Sequence, residues 1–263
     1  MQVWAIANQK GGVGKTTTTV ALAGLLAGEG FRTLMIDIDP HASLSGYFGH
    51  DPDQLESSSY NLFLSEGERR IIDARAPIRQ TTIKRLDLVP AVTALAGLDR
   101  QSGRIKGMGV ALKKAMLQLN ELYDYVLIDC PPVLGILLIN AMAACDRLII
   151  PVQTDFLALK GLRLMLRTRE MVMRARTAPL PYVIVPTLYD PRLRASLDCL
   201  SQLRREYNEN LWFGYIPLDQ RLREASAAGL PPSNFDSNAR AVAAYSALLS
   251  LLLGRDPIAA YQA

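Results

Sequence analysis

Short apolar runs alternate along this chain with longer stretches whose apolar positions recur at helical spacing. The runs at residues 3–7, 31–38, 86–91, 123–132, 147–153 and 181–189 read as buried strands. The stretches at 16–30, 110–122, 154–176, 193–207 and 238–253 read as helices. The first of these presents Val20, Leu22, Leu25 and Leu26 on one face and stops at Gly30. Strands alternating with helices predict an α/β fold, a mostly parallel twisted sheet with helices on both faces. Ligands in such sheets collect at the carboxyl ends of the strands. Between residues 49 and 85 the pattern is weakest. Residues 49–59 are polar and turn-rich, residues 60–64 and 71–72 suggest short helices, and the basic, glycine-rich stretch 100–109 predicts a mobile loop.

The first strand-to-helix junction reads ANQKGGVGKTTT, residues 7–18. Strand, glycine-rich loop and helix together make the setting of a phosphate-binding loop. Gly11, Gly12 and Gly14 lack Cβ atoms, so the N–H groups of the loop, those of Val13 and Thr17 included, can converge on phosphate oxygens at a positive helix N-terminus. Lys15 would neutralise the β- and γ-phosphates, and the Thr16 hydroxyl would ligate Mg²⁺. ATP and Mg²⁺ are the cofactors this predicts. The ordinary pattern needs glycine at position 9; this chain has Gln9 there and a second lysine, Lys10, after it.

KGGVGKTT resembles the deviant Walker A motif of the ParA/MinD family of ATPases, with Lys10 at the signature position. That resemblance implies a nucleotide-sandwich homodimer in which Lys10 crosses to the phosphates of the other subunit, a cation supplied in trans. DIDPHASLSG resembles the family's switch I, with His41 where glutamine is usual. It implies that Asp39 orients the attacking water and senses Mg²⁺, and that Asp37 supports the shell of Mg²⁺ and Thr16. His41 reads either as a catalytic residue or as a loop residue without an important contact. YDYVLIDCPP places Asp129 at a strand end as a Walker B carboxylate that holds Mg²⁺ through water, with Pro131 and Pro132 fixing the switch II turn. PVQTDFLALKGL and IPLDQRLREASAAGLPP also resemble family runs, with Ser226 where proline is usual, and Pro217 is expected to line the adenine. Arg192 and Arg221 stand where relatives carry arginines that bind double-stranded DNA without sequence preference, and Arg194, Arg204, Arg205 and Arg223 would widen the patch.

The resemblance is to the short, Soj-like ParA group and covers essentially one domain, residues 1–263. The early half looks most like the ParC type that positions chemotaxis arrays. It implies an ATPase that is slow alone and accelerated by a ParB-like or hub protein. The cargo would be a chromosome or plasmid partition complex or a polar chemotaxis array. Two other classes remain open: a polar scaffolding ATPase that ignores DNA, and a small-molecule enzyme of the P-loop superfamily.

Composition narrows this further. Hydrophobic residues at 49 % and charged residues at 21 % of 263 suit a soluble globular chain. The net charge of +4 permits an anionic partner without demanding one. Arginines far outnumber lysines, which suits phosphate recognition but also follows from base composition. Lys160, Arg163, Arg167 and Arg174 share one helix face, either solvated or a contact surface. Cys130, Cys145 and Cys199 show no C-x-x-C spacing, so neither zinc nor an iron–sulfur cluster is expected, and they suit a reducing cytosol. No apolar run reaches the ~20 residues that span a bilayer, so no membrane span is expected. The resemblance implies a cytoplasmic protein, at the nucleoid or a cell pole, without a membrane partner.

Overall fold

The computed structural model describes residues 1–63, 73–98 and 110–255. The helix expected at 71–72 and the loop expected at 100–109 lie outside the described residues, while Ser59–Phe63 form a 3₁₀ turn.

Strands β1 (Gln2–Ile6), β2 (Thr33–Asp37), β3 (Arg79–Gln80), β4 (Leu86–Val89), β5 (Tyr125–Asp129), β6 (Arg147–Gln153) and β7 (Tyr182–Thr187) form one sheet, ordered β3-β4-β2-β5-β1-β6-β7. All neighbours run parallel except the short edge strand β3, which the apolar pattern did not foretell. Residues alternate between two cores, one on each face. Val3, Ala5 and Ala7 enter one, with Leu34, Ile36, Val126 and Ile128; Trp4 and Ile6 enter the other, with Met35 and Leu127. Both faces are covered, which is why these strands read as unbroken apolar runs.

Helices α1 (Lys15–Gly28), α2 (Ser43–Tyr47), α3 (Ala111–Leu119), α4 (Ile136–Ala144) and α5 (Ala158–Met173) follow in chain order, then α6 (Arg194–Glu206), α7 (Gln220–Ala227), α8 (Pro232–Phe235) and α9 (Arg240–Leu252). The first core takes α3 through Leu112 and Met116, α4 through Leu138 and α5 through Leu162 and Met165; the second takes α1 and α9. No helix among the described residues is long and apolar enough to cross a membrane.

Helix α1 departs from the expected amphipathic pattern. It is buried on nearly every side from Thr18 to Ala27, because the sheet lies on one flank and α8 and α9 on the others. Its polar residues are satisfied internally: Thr19 Oγ1 donates to Lys15 O at 3.1 Å, and Thr18 Oγ1 bonds the buried Tyr245 hydroxyl at 3.0 Å.

Strand register sets the level of the site. Ile6 pairs with Asp129 on one side of β5, and Asp37 pairs with Asp129 on the other. Three strand ends therefore finish side by side, with two carboxylates on adjacent strands.

Gly24 supplies a test of the enclosure. A Cβ there would lie 2.4 Å from Pro231 Cβ, whereas one at Gly28 meets nothing within 4 Å. Helix propensity alone favours alanine at both by about 1 kcal/mol. We expect Gly28→Ala to raise the unfolding free energy and Gly24→Ala to lower it by about 1–2 kcal/mol through overpacking, read as opposite Tm shifts in thermal denaturation.

Candidate phosphate-binding site

The loop between β1 and α1 turns on two residues in left-handed backbone, Gly12 at φ +72° and Gly14 at φ +86°. Side chains rarely adopt that region, and a Cβ at Gly11, Gly12 or Gly14 would point into open space. That space is a cavity of about 710 Å³, whose polar end is formed by the loop with Lys15, Thr16, Thr17 and Asp39. Its volume and concave shape suit a nucleotide. Val13 is buried and faces away, and its carbonyl accepts a hydrogen bond from Thr187 Oγ1 at 2.8 Å, which ties the loop to the end of β7.

Beneath the loop, Thr16 Oγ1 donates to Asp129 Oδ2 at 2.6 Å and Lys15 Nζ donates to Lys10 O at 3.2 Å. Burial pushes the Asp129 carboxyl up to about 8, and Asp37 on the neighbouring strand pushes the same way. Burial also lifts Asp37, to about 6, although hydrogen bonds from Ser45 pull against it. Burial draws Lys15 downward, opposed by the charges of Asp129 and Asp39. A cation at this point would relieve the two buried carboxylates. Among the described residues no group of three or more His, Cys, Asp or Glu side chains is placed to hold a metal by itself. Thr16 and Asp129 therefore fit a Mg²⁺ that keeps waters and takes its remaining ligands from phosphates.

Asp37 sits differently from its expected role behind Thr16. Its Oδ2 accepts from Ser45 N at 2.8 Å and Ser45 Oγ at 2.7 Å, its Oδ1 from Asp39 N at 3.0 Å, and Ser45 Oγ in turn accepts from Ala91 N. Asp37 is the knot that ties the loop after β2 to the sheet, and the Thr16 hydroxyl takes Asp129 as its partner instead. Asp39 lines the cavity, and His41 contacts it twice, through backbone N at 3.0 Å and Nδ1 at 2.9 Å. His41 is thus engaged with a site carboxylate rather than idle.

Lys10 is held within its own chain. Its ammonium is ion-paired with Asp155 and donates to Gln153 Oε1 at 3.2 Å, at the end of β6.

The apolar end of the cavity comes from Leu188, Ile216, Leu218 and Leu222, with Tyr245 and Arg223 beside them. Residues 216–218 run extended beside the end of β7, bonded through Ile216 N to Pro186 O and Leu218 N to Tyr189 O. An extended segment sends alternate side chains to opposite sides. Ile216 therefore faces this cavity and Pro217 a second recess, with Leu218 bordering both. The expectation placed Pro217 at the adenine; Ile216 and Leu218 line this cavity and Pro217 does not. Leu188, at φ +52°, carried no signal in the sequence pattern.

The structure does not assemble the four expected DNA-binding arginines into one free cationic patch. Arg192 is forked onto Asp190 at 2.7 Å, Arg194 pairs with Asp198 at 3.0 Å, and Arg221 pairs with Glu224 at 2.9 Å and Asp236 at 3.2 Å. Arg223 lines the nucleotide-sized cavity. On α5, Lys160 and Arg167 are exposed and Arg163 pairs with Glu206.

The strained protonation of Asp129 is measurable. A carboxyl lifted to about 8 from an ordinary value of 3.8 binds more protons folded than unfolded, so its contribution to stability falls as pH rises between those values. Asp129→Asn, free of that loss, should melt higher than the parent protein without ligand, with a gap that widens from pH 5 to pH 8. The same variant should lose the Tm increase that Mg²⁺ and nucleotide give the parent. A gap that stays constant or narrows would contradict the buried-carboxylate account.

Residues 1–180 match the family model described as an AAA domain. The sporulation initiation inhibitor protein Soj of Bacillus subtilis is 35 % identical over 245 residues, 93 % of this chain and 95 % of Soj. The chromosome partitioning protein ParA of Caulobacter vibrioides is 35 % identical over 259 residues, 97 % of this chain and 95 % of that relative. Among solved structures, cobyrinic acid a,c-diamide synthase from Mycobacterium smegmatis with bound ADP and magnesium superposes with a TM-score of 0.82 at 32 % identity, covering 96 % of this chain and 94 % of that one. The ATP complex of a Cyanothece McdA variant reaches 0.85 at 21 % identity over 97 % of both chains, a likeness of fold. The phosphate-binding loop, the level carboxylates and these relatives agree: the chain belongs to the ParA/Soj family of P-loop ATPases.

Proposed function

We propose that this chain is an ATP-dependent dimerising ATPase that binds DNA without sequence preference and positions or segregates a cellular cargo. The observation that carries the reading is the arrangement of Lys15, Thr16 and Asp129 under a glycine loop that opens into a nucleotide-sized cavity. The M. smegmatis neighbour bound to ADP and magnesium supports the same ligands here. ATP is then the substrate: Lys15 neutralises its β- and γ-phosphates, the loop N–H groups of Gly11–Thr17 hold them, and Leu188, Ile216 and Leu218 cover its base. Mg²⁺, held by Thr16 and Asp129, would supply charge neutralisation across the phosphates. Asp39 positions the attacking water, with Asp37 fixing the loop that carries it.

Lys10 completes the charge clamp only in a homodimer. It must exchange Asp155 for the γ-phosphate of the other subunit, which keeps hydrolysis slow in the monomer. Phe156, 89 % exposed, and Leu157 follow Asp155 directly, and Val133 and Leu134 stand exposed after Pro132. Apolar side chains so placed suit a face that closes against a second copy. A ParB-like or hub partner would accelerate turnover by favouring the Lys10 crossing.

Arg192, Arg194 and Arg221 carry the DNA reading, and phosphates must displace the acids that now hold them; Arg223 goes to the nucleotide instead. The names of the Caulobacter and Myxococcus relatives favour chromosome partition over a chemotaxis array as the cargo. A small-molecule enzyme is the second reading, favoured by the diamide synthase name of the M. smegmatis neighbour. It would turn over ATP at full rate with its substrate alone and without DNA or partner.

Lys10→Ala should lower ATP turnover by about 10²-fold, the loss typical of one removed transition-state donor, while fluorescent ATP still binds. Asp39→Ala should retain unhydrolysed ATP through gel filtration. Arg221→Glu should weaken duplex DNA binding about tenfold by anisotropy and reduce its salt dependence by about one counterion, with turnover in the absence of DNA unchanged. Undiminished hydrolysis by Lys10→Ala would remove the trans mechanism, and undiminished DNA binding by Arg221→Glu would favour the DNA-independent scaffold.

A further inference from the structure

Across the wall formed by Pro217 and Leu218 lies a second recess of about 840 Å³, larger than the nucleotide cavity. Three arginines from three separate parts of the chain converge on it: Arg192 after β7, Arg204 on α6 and Arg240 at the start of α9. One acid, Asp190, also lines it, and it is already forked by Arg192, which holds its carboxyl down at about 2. The lining therefore stays cationic. Arg204 keeps its place by donating to Phe213 O at 3.1 Å, and Arg240 makes no ion pair with a described residue.

The walls are aromatic as well as basic. Phe213 and Tyr215 alternate with Gly214 along an irregular segment, 64 % and 39 % exposed. Gly214 is required there, since a Cβ would lie 2.4 Å from the Trp212 ring. Tyr215 is backed by the buried Tyr189 ring at 4.1 Å between centroids, which makes it a fixed platform rather than a mobile side chain. Ala243, Ala244 and Ala247 of α9 provide a smooth apolar floor. Guanidinium groups take phosphates in forked geometry, and exposed aromatic faces take the flat face of a base. An acidic peptide would satisfy the arginines and leave the two rings uncovered.

We propose that this recess is a binding site for a phosphate joined to an unpaired base, stacked on Tyr215 and Phe213, with its phosphate held by Arg240 and Arg204. A duplex keeps its bases stacked inside and cannot use the aromatic platform, so the site is one for single-stranded nucleic acid. A free nucleotide shares the chemistry. The proposal does not depend on ATP-driven dimerisation.

The test uses the full chain with saturating ADP and Mg²⁺, which occupies the first cavity, and a fluorescein-labelled oligothymidylate of about 15 nucleotides, the upper range of such sites. Anisotropy should show binding that Tyr215→Leu together with Phe213→Leu weakens by about tenfold or more, while duplex binding changes less than twofold. Both side chains are exposed, and an unchanged Tm shows that the variant is folded. Arg240→Ala should weaken the oligothymidylate and lower its salt slope. Displacement by millimolar thymidine monophosphate would identify a free nucleotide as a natural source of the same ligand; failure of displacement would identify the strand. Equal affinity of the parent for polyglutamate and oligothymidylate, or no loss in the Tyr215→Leu, Phe213→Leu variant, would overturn the proposal.

Discussion

The site depends on one constraint: two carboxylates buried side by side at the ends of parallel strands. Asp37 and Asp129 stand opposite each other in register, and neither can shed its charge problem by turning toward solvent. The fold resolves them differently. Asp37 has its oxygens satisfied by hydrogen bonds from the loop it anchors, so it serves to hold that loop. Asp129 accepts from Thr16 at 2.6 Å and only at long range, 3.4 Å, from Thr19, with the Lys15 charge nearby, so it remains a group that a cation and phosphates complete. The enclosed helix α1, packed by α8 and α9, holds Lys15 and Thr16 against it.

Much of this was legible in the sequence because backbone requirements are local. Gly12 and Gly14 sit where left-handed backbone is needed, and an apolar run ending in Asp129 can only be a buried strand with a carboxylate at its end. The six strands read from the sequence begin and end within three residues of the observed ones. What the sequence concealed is where tertiary neighbours decide. Helix α1 was read as amphipathic from its own spacing, yet it is covered by elements more than two hundred residues away, Tyr245 among them. Ile216 rather than Pro217 lines the first cavity because an extended segment alternates sides, and the starting phase of that alternation has no sequence marker.

Charge was the least legible property. Arginines read as a cationic patch are, once folded, mostly matched by acids brought near by turns and helices: Asp190, Asp198, Glu224 and Asp236. Exposed pairs of this kind contribute little to stability, so they can open for a stronger phosphate partner. Lys10 is in the same condition with Asp155. In both places a cation suited to phosphate rests on a carboxylate, so in the proposed function binding is an exchange of anions.

In the proposed function ATP, and not ADP, brings two such subunits together through Lys10. Sedimentation velocity of the purified chain, with Mg²⁺ and either nucleotide, tests it directly. The account predicts a monomer in ADP, a dimer in ATP, and a monomer in both for Lys10→Ala. A parent protein of the same size in both nucleotides, or a Lys10→Ala dimer in ATP, would contradict it.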